Sequence, residues 1–170
     1  MRNKIIFYLN GKRKEEGADK ASMMLADYLR YDQSLTGTKI VCAEGDCGAC
    51  TVLRSFPANG STQFLAINSC IVTVAQLDGS SLVTVDALAK PELSPVQKAM
   101  MNCHGSQCGF CTPGFVVAMT SMLSNGLAPG KNSLNQQDLK DGLIKFMYKR
   151  KRNPKQVKKY FSHVKVKYAA

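Results

Sequence analysis

The sequence lacks long hydrophobic runs and the common motifs of self-contained enzymes. None of its 170 residues lie in a stretch that approaches the ~20 consecutive apolar residues of a membrane-spanning helix, so a membrane span is excluded. The apolar run IIFYL near the N-terminus is too short for the core of a signal peptide, which predicts a cytoplasmic chain. No G-x-G-x-x-G or Walker-type loop and no Ser/His/Asp or paired-carboxylate pattern occurs, which argues against a self-contained nucleotide site and against hydrolytic chemistry.

Acidic residues are missing from the C-terminal end of the chain. Residues 142–170 contain ten Lys or Arg and no Asp or Glu, whereas residues 1–141 contain 13 basic and 12 acidic residues. Nearly all of the formal net charge of +11 therefore lies in one tail, and the rest of the chain is close to neutral. Because like charges repel one another and nothing in the tail neutralises them, we expect residues 148–170 to form a poorly ordered basic tail.

Cysteine is abundant, and its number argues against a secreted disulfide framework. Such a framework favours an even number of cysteines and a signal peptide, whereas this chain has seven cysteines and predicts no signal peptide. In a reducing compartment, clustered thiols more often bind metal. The seven are Cys42, Cys47, Cys50, Cys70, Cys103, Cys108 and Cys111.

The first four cysteines follow the pattern C-x4-C-x2-C with one distant partner, which is the spacing that plant-type ferredoxins use for a [2Fe–2S] cluster. Structural zinc sites usually pair a short C-x2-C knuckle with a second knuckle or with two histidines. The wide first loop suits a centre of two irons, and Gly45 and Gly48 can supply the unusual backbone angles and let N–H groups approach the sulfurs. The spacing therefore favours an iron–sulfur cluster over zinc or merely buried thiols.

Cys108 and Cys111 form a second C-x2-C pair, a pattern that zinc sites, redox-active dithiols and iron–sulfur sites all use. Thr112 as N-cap and Pro113 in the first turn predict a helix directly after Cys111, where the helix dipole favours a thiolate. Cys103 raises the number of thiols here to only three, and no cysteine follows residue 111. A second cluster with four thiolates cannot be completed within this chain.

The apolar pattern of the N-terminal half predicts a small mixed sheet with one packed helix. Residues 4–9 are a strand candidate, Asn10 and Gly11 are a strong hairpin signal, and residues 22–30 have near-helical apolar spacing. Further strands are predicted over residues 51–53, 64–67 and 82–85. Together these elements indicate an α+β chain.

The C-terminal half changes to a helical pattern after a linker over residues 86–93. Ser94 can cap a first helix, and a second helix is predicted from residue 113 to about residue 124, closed by an Asn-Gly pair. Apolar spacing suggests a third helix over residues 134–146.

Three strings of the sequence closely resemble the iron–sulfur part of molybdenum hydroxylases, particularly xanthine dehydrogenases: VCAEGDCGACTVL, INSCI and HGSQCGFCTPGFVVAM. In that family this part is a small subunit or the N-terminal region of a longer chain. The resemblance covers roughly residues 1–145. It implies a plant-ferredoxin-like β-grasp [2Fe–2S] domain over residues 1–85, a small all-helical [2Fe–2S]-binding domain over residues 86–147, and then the basic tail over residues 148–170.

The resemblance also implies roles for single residues. Cys42, Cys47, Cys50 and Cys70 would hold the cluster nearer the flavin. Cys108 and Cys111 would be half of the ligands of the cluster nearer molybdenum, and Gln107 matches the glutamine that hydrogen-bonds the pterin. Cys103 matches no ligand position, and we interpret it as a buried thiol.

The C-terminus departs from the family pattern. The family supplies the two remaining ligands of its second cluster from a Cys-x-Cys pair after the third helix, and this chain has no cysteine there. Because the acid-free composition begins abruptly in the same region, a disrupted or truncated product is indicated, with residues after about 143 outside the family fold.

The implied function is a one-electron relay that passes electrons from molybdopterin towards FAD, with both cofactors on partner subunits or missing regions. The chain alone would not turn over substrate. Two alternatives stay open: a free-standing ferredoxin-like carrier, and a nucleic-acid-binding protein acting through the basic tail, where aromatic residues lie among the lysines. The string around Cys108 weighs against the ferredoxin-like carrier, and the neutral body weighs against the nucleic-acid-binding protein.

Overall fold

Five strands form one mixed sheet in the computed structural model, which describes residues 3–58, 61–89, 91–102 and 104–126. The strands are β1 (Ile5–Leu9), β2 (Lys12–Glu16), β3 (Thr51–Ala58), β4 (Ser61–Asn68) and β5 (Ser81–Val83). Their order across the sheet is β2-β1-β5-β3-β4. β1 and β5 are parallel, and the other neighbours are antiparallel. All four predicted strands are present, but β3 and β4 are longer than the apolar pattern indicated, and β5 ends at Val83 instead of residue 85.

The first hairpin has the turn that its Asn-Gly pair predicts. Asn10 and Gly11 have φ of 52° and 79°, which is the left-handed backbone that a two-residue type I′ turn requires. The Asn10 side chain accepts a hydrogen bond from the Thr84 backbone N–H at 2.8 Å and donates to the Thr84 hydroxyl at 3.0 Å. The turn is therefore also tied to the chain just after β5.

One short helix covers a face of the sheet. The predicted helix over residues 22–30 begins later than expected, as α1 (Leu25–Asp27), and continues as a π-helical turn (Tyr28–Asp32). The buried side chains of this segment and of the sheet form the main core: Phe7, Leu9, Leu25, Tyr28, Leu29, Val52, Val74, Leu77 and Leu82. Burial of these apolar surfaces supplies the main driving force for folding of the N-terminal half.

Two helices form the described part of the C-terminal half. In α2 (Pro95–Asn102), the Ser94 hydroxyl accepts from the Gln97 N–H at 3.3 Å, and the Gln97 side chain accepts from the Ser94 N–H at 2.8 Å, so the predicted cap is a reciprocal capping box. The second helix is α3 (Thr112–Gly126). The apolar side chains of α2 and α3 meet in a second core. This helical core contains Val96, Met100, Phe115, Val116, Ala118 and Met119.

The N-cap predicted for α3 is wrong by one residue. Thr112 is already helical, and the Phe115 N–H donates to the Cys111 carbonyl at 3.1 Å, so Cys111 occupies the cap position. The Thr112 hydroxyl instead lies 3.0 Å from the Ser106 hydroxyl and closes the loop before the helix. Cys111 therefore sits at the helix N-terminus, as expected.

Helix α3 also packs on the sheet, where it contacts β3 and β4. The Ser121 hydroxyl donates to the Phe64 carbonyl at 3.3 Å. No helix in the described part of the chain is long and apolar enough to cross a membrane. The predicted third helix, the basic tail and Cys103 lie outside the described residues.

We expect Leu77→Ala to lower the free energy of unfolding by about 2–5 kcal/mol, because Leu77 is fully buried in the main core and its removal leaves a cavity. Leu65→Ala is the matched control: Leu65 is 51 % exposed on β4, so its loss should change stability by less than about 0.5 kcal/mol. Urea unfolding of the metal-free chain measures both values. Equal losses would contradict the position of the main core.

Candidate metal centre

The pairing of β3 with β4 brings two distant cysteines together. Cys50 directly precedes β3, and Cys70 lies in a 3-10 turn (Ser69–Ile71) directly after β4. The register pairs Thr51 with Asn68, so the two cysteines meet at the same end of this hairpin. Ser69 closes the junction, because its N–H and its hydroxyl donate to the Cys50 carbonyl at 3.3 and 2.7 Å.

The four thiols predicted for the first cluster lie together as two adjacent pairs. The Cys47 N–H donates to Cys42 Sγ at 3.4 Å, and the thiols of these two residues are also in hydrogen-bond contact. Cys50 and Cys70 form a second thiol contact, and the charge of Cys42 acts on Cys70. Within the described residues, no three His, Cys, Asp or Glu side chains surround a position for a single ion. Two thiol pairs side by side fit a two-metal cluster better than a four-thiolate zinc site.

Backbone N–H groups of the first cysteine loop (residues 42–50) point at the sulfurs. The N–H groups of Cys47, Glu44 and Asp46 hold the pKa of the Cys42 thiol down to about 6. Successive N–H groups that point inward form an anion-binding nest, which stabilises a thiolate. This geometry confirms the expectation that backbone donors approach the sulfurs.

The pKa of the Cys70 thiol is shifted in the opposite direction from that of Cys42. Burial, together with its contact to the Cys50 thiol, raises the pKa of Cys70 to about 11, although the Gly45 N–H acts in the other direction. Cys50 and Cys70 are 2 % and 8 % exposed, whereas Cys42 and Cys47 are half-buried. Metal ions favour deprotonated thiols, so a bound cation would supply the stabilisation that this buried pair lacks. The donor set and its surroundings therefore fit a [2Fe–2S] cluster.

Three residues of the loop have left-handed backbone. Gly45 and Gly48 have φ of 80° and 72°, which confirms that these glycines supply unusual backbone angles. Ala43 has φ of 58°, which its residue type did not indicate. A Cβ atom on Gly45 would lie 2.6 Å from Cδ1 of Ile71. The Asn68 side-chain amide donates to the Gly45 carbonyl. Asn68 is a supporting residue that sequence reasoning missed, and its place two residues before Cys70 was the available signal.

The two cysteines of the second pair, Cys108 and Cys111, differ in exposure. Cys108 is exposed, and Cys111 is 8 % exposed at the start of α3. Gln107 is exposed beside them, and Gly109, with φ of 83°, turns the chain between the two cysteines. The pair thus has one thiol on the surface and one anchored in the helical half.

Two family comparisons define the class of protein. Residues 7–75 match the family described as a 2Fe-2S iron-sulfur cluster binding domain, and residues 84–162 match a second family described as a [2Fe-2S] binding domain. The chain thus carries two consecutive domains of [2Fe–2S]-binding families. The second match continues to residue 162 and into the basic tail, which corrects the expectation that residues after about 143 lie outside the family.

The relatives identify the family. The chain is 40 % identical over 134 residues to aldehyde oxidase 1 of Rattus norvegicus and, over the same length, to xanthine dehydrogenase of Drosophila subobscura; each alignment covers 76 % of this chain and 10 % of the relative. Xanthine dehydrogenase 1 of Arabidopsis thaliana is 39 % identical over 142 residues, covering 81 % of this chain and 10 % of the relative. The chain spans about a tenth of the length of these curated relatives.

Solved structures agree with this relationship. Aldehyde oxidoreductase from Desulfovibrio gigas matches with a TM-score of 0.73 and 28 % identity, covering 95 % of this chain and 17 % of the other. Quinoline 2-oxidoreductase from Pseudomonas putida 86 matches with the same score and identity, covering 95 % of this chain and 92 % of the other. The chain belongs to the iron–sulfur part of the xanthine dehydrogenase and aldehyde oxidase family. These relatives are oxidoreductases, so the comparisons favour neither a free-standing ferredoxin nor a nucleic-acid-binding protein.

We expect Gly45→Ala to destabilise the chain more than Gly79→Ala. Both positions have left-handed backbone, which costs about 1–2 kcal/mol for a residue with a Cβ atom. A new Cβ atom on Gly79 would have nothing within 4 Å, whereas a new Cβ atom on Gly45 would clash with the Ile71 side chain. Urea unfolding of the metal-free chain separates the two costs, and iron content after reconstitution should fall only for Gly45→Ala. Equal effects of the two substitutions would show that Ile71 does not constrain the loop.

Proposed function

We propose that the chain is the iron–sulfur electron-transfer component of a xanthine dehydrogenase-type molybdenum hydroxylase. It would pass electrons from a partner that holds molybdopterin towards a partner that holds FAD. The observation that carries this proposal is the meeting of the two thiol pairs, Cys42 with Cys47 and Cys50 with Cys70, beside a loop whose N–H groups point at sulfur. A bound [2Fe–2S] cluster supplies one-electron oxidation and reduction there.

The thiol contacts support a pairing of the proposed ligands of the first cluster. We infer that Cys42 and Cys47 bind one iron and that Cys50 and Cys70 bind the other, because each pair is already in contact. The N–H groups of the loop stabilise negative charge on the sulfurs, which is a known way of tuning a cluster. The mixed sheet, with the parallel pair β1 and β5 inside it, supports the β-grasp arrangement expected of a plant-ferredoxin-like domain.

One side of this centre is open to a partner. Cys42 and Cys47 are half-buried, while Val41 and Ile71 beside the cysteines are 59 % and 54 % exposed. Partly exposed apolar side chains next to redox ligands suit a docking surface, since electron transfer requires close approach of the two centres. We assign this side to the flavin-bearing partner.

The second site requires donors from elsewhere. Cys108 and Cys111 would be two of its four ligands, and Gln107 would hydrogen-bond the pterin of the molybdenum partner. The exposure of Gln107 and Cys108 supports contact with another chain. Because the chain spans about a tenth of its curated relatives, we place the substrate chemistry on partner subunits or on other regions of a longer protein.

A reducing compartment such as the cytoplasm suits this function. The six cysteines in the described part of the chain are in the thiol form, and those of the two proposed sites must stay reduced until metal is bound. The substrate-binding and flavin-binding partners would therefore be sought in the same compartment.

We expect anaerobically prepared protein to contain about two irons and two inorganic sulfides per chain and to give one rhombic EPR signal when reduced. Cys47→Ser should abolish or greatly weaken this signal, because one of the four thiolates is lost. Cys103→Ser is the matched control and should leave the signal unchanged, since Cys103 matches no ligand position. Zinc in place of iron, or equal loss in both variants, would contradict the assignment.

The second pair generates a separate expectation about the number of clusters. With only Cys108 and Cys111 at ligand positions, the isolated chain should not exceed about two irons, and Cys108→Ser should leave iron content unchanged. Iron analysis and EPR of the two proteins provide the measurement. Near four irons with two distinct EPR signals, the second lost in Cys108→Ser, would show that the chain completes the site by itself.

A further inference from the structure

The start of α3 lies directly on the first cysteine loop. Gly114 is in the first turn of this helix, and a Cβ atom built on it would overlap the carbonyl oxygen of Gly48. The same atom would lie 3.0 Å from the carbonyl oxygen of Ala49 and 3.1 Å from its carbonyl carbon. The obstacles are backbone atoms, which cannot rotate away as a side chain would. Only glycine allows the helix to approach this loop so closely.

The segment under Gly114 is the short turn between two proposed iron ligands. Gly48 and Ala49 are the two residues between Cys47 and Cys50. Both are buried, and the Gly48 carbonyl accepts hydrogen bonds from the Thr51 N–H at 3.1 Å and from its hydroxyl at 2.6 Å. The turn is therefore held from one side by the first residue of β3 and covered from the other side by α3.

Helix α3 provides a rigid cover. Phe115 and Met119 are fully buried in the helical core, and the Ser121 hydroxyl is bonded to the carbonyl of Phe64 in β4. A displacement of the first turn of α3 would strain these contacts, because packed interiors deform little. An added atom at Gly114 must consequently move the helix, the turn, or both.

We propose that Gly114 is a positioning residue for the first cluster, through which the helical half sets the geometry of the turn that carries Cys47 and Cys50. The effect on a cluster rests on the proposed function, whereas the effect on the turn does not. Because Cys111 lies three residues before Gly114, the same contact also fixes the second thiol pair against the first centre. The N-terminal half is therefore not an independent ferredoxin module.

The variant Gly114→Ala tests this proposal in the full chain. Alanine is the better helix former, so helix propensity alone predicts a higher melting temperature. The overlap with Gly48 predicts the opposite sign: a lower melting temperature and amide exchange of Thr51 that is faster by at least ~10-fold in the metal-free chain. In the iron-loaded chain, the EPR signal and the midpoint potential should both shift.

Gly17→Ala is the matched control. Gly17 has ordinary backbone angles, and its new Cβ atom would meet only the end of the flexible Asp19 side chain. It should leave Thr51 exchange, the EPR signal and the potential unchanged. An unchanged or higher melting temperature in Gly114→Ala, with unchanged Thr51 exchange, would overturn the proposal. If no iron binds to the parent chain, the proposed function fails, but exchange in the metal-free protein still decides the role of Gly114.

A second measurement covers the case in which Gly114→Ala does not fold. Native-state hydrogen exchange of the unmodified chain at increasing denaturant compares the Thr51 amide with the Phe115 amide, which donates to Cys111. If α3 holds the turn, the two amides should become exchangeable in one cooperative opening. Exchange of the α3 amides at low denaturant, with Thr51 still protected, would overturn the proposal.

Discussion

The whole candidate site depends on one backbone constraint: the loop from Cys42 to Cys50 must turn its N–H groups inward, towards sulfur. This conformation needs left-handed backbone at three positions and lowers the pKa of the Cys42 thiol. The loop cannot hold such a shape alone, since left-handed residues are costly and the loop has little regular structure. Its neighbours hold it: Asn68 bonds the Gly45 carbonyl, and Ser69 bonds the Cys50 carbonyl.

The same constraint explains why the two halves of the chain are packed together. The N-terminal half supplies four thiols, but the carbonyls of Gly48 and Ala49 point towards α3 of the other half. Helix α3 gains its own stability from the helical core, including Phe115 and Met119, and contacts β3 and β4. The support of the first centre thus comes from a part of the sequence some 60 residues away, and it is carried by backbone contact instead of charge.

Elements with strong local signals could be predicted from the sequence. The Asn10–Gly11 turn and the Ser94 cap each depend on a few adjacent residues, and both appear in the structure. Features that depend on distant contacts could not be predicted. The π-helical turn after α1 follows from packing of Tyr28 and Leu29 into the main core, and a periodicity count gives no sign of it.

The candidate site likewise has features that could be predicted from the sequence and features that depend on the fold. Spacing identified the thiols and two of the left-handed positions, Gly45 and Gly48, because glycine marks them. Ala43 has the same left-handed backbone although it is not a glycine. The α3 cap lies at Cys111 instead of Thr112, whose hydroxyl contacts Ser106. The closeness of Gly114 to the cysteine loop was invisible in the sequence, because a helix glycine has several ordinary explanations and the fold alone decides which applies.

The composition of β2 has a consequence for association between copies of the chain. Among the strands of the described residues, β2 (KRKEE) lies at one edge of the sheet and pairs with β1 alone. An unpaired strand edge can recruit a strand from a neighbouring molecule, and closely spaced charges oppose such recruitment by desolvation and repulsion. The charges of β2 therefore disfavour edge-to-edge pairing between copies of the chain through this strand.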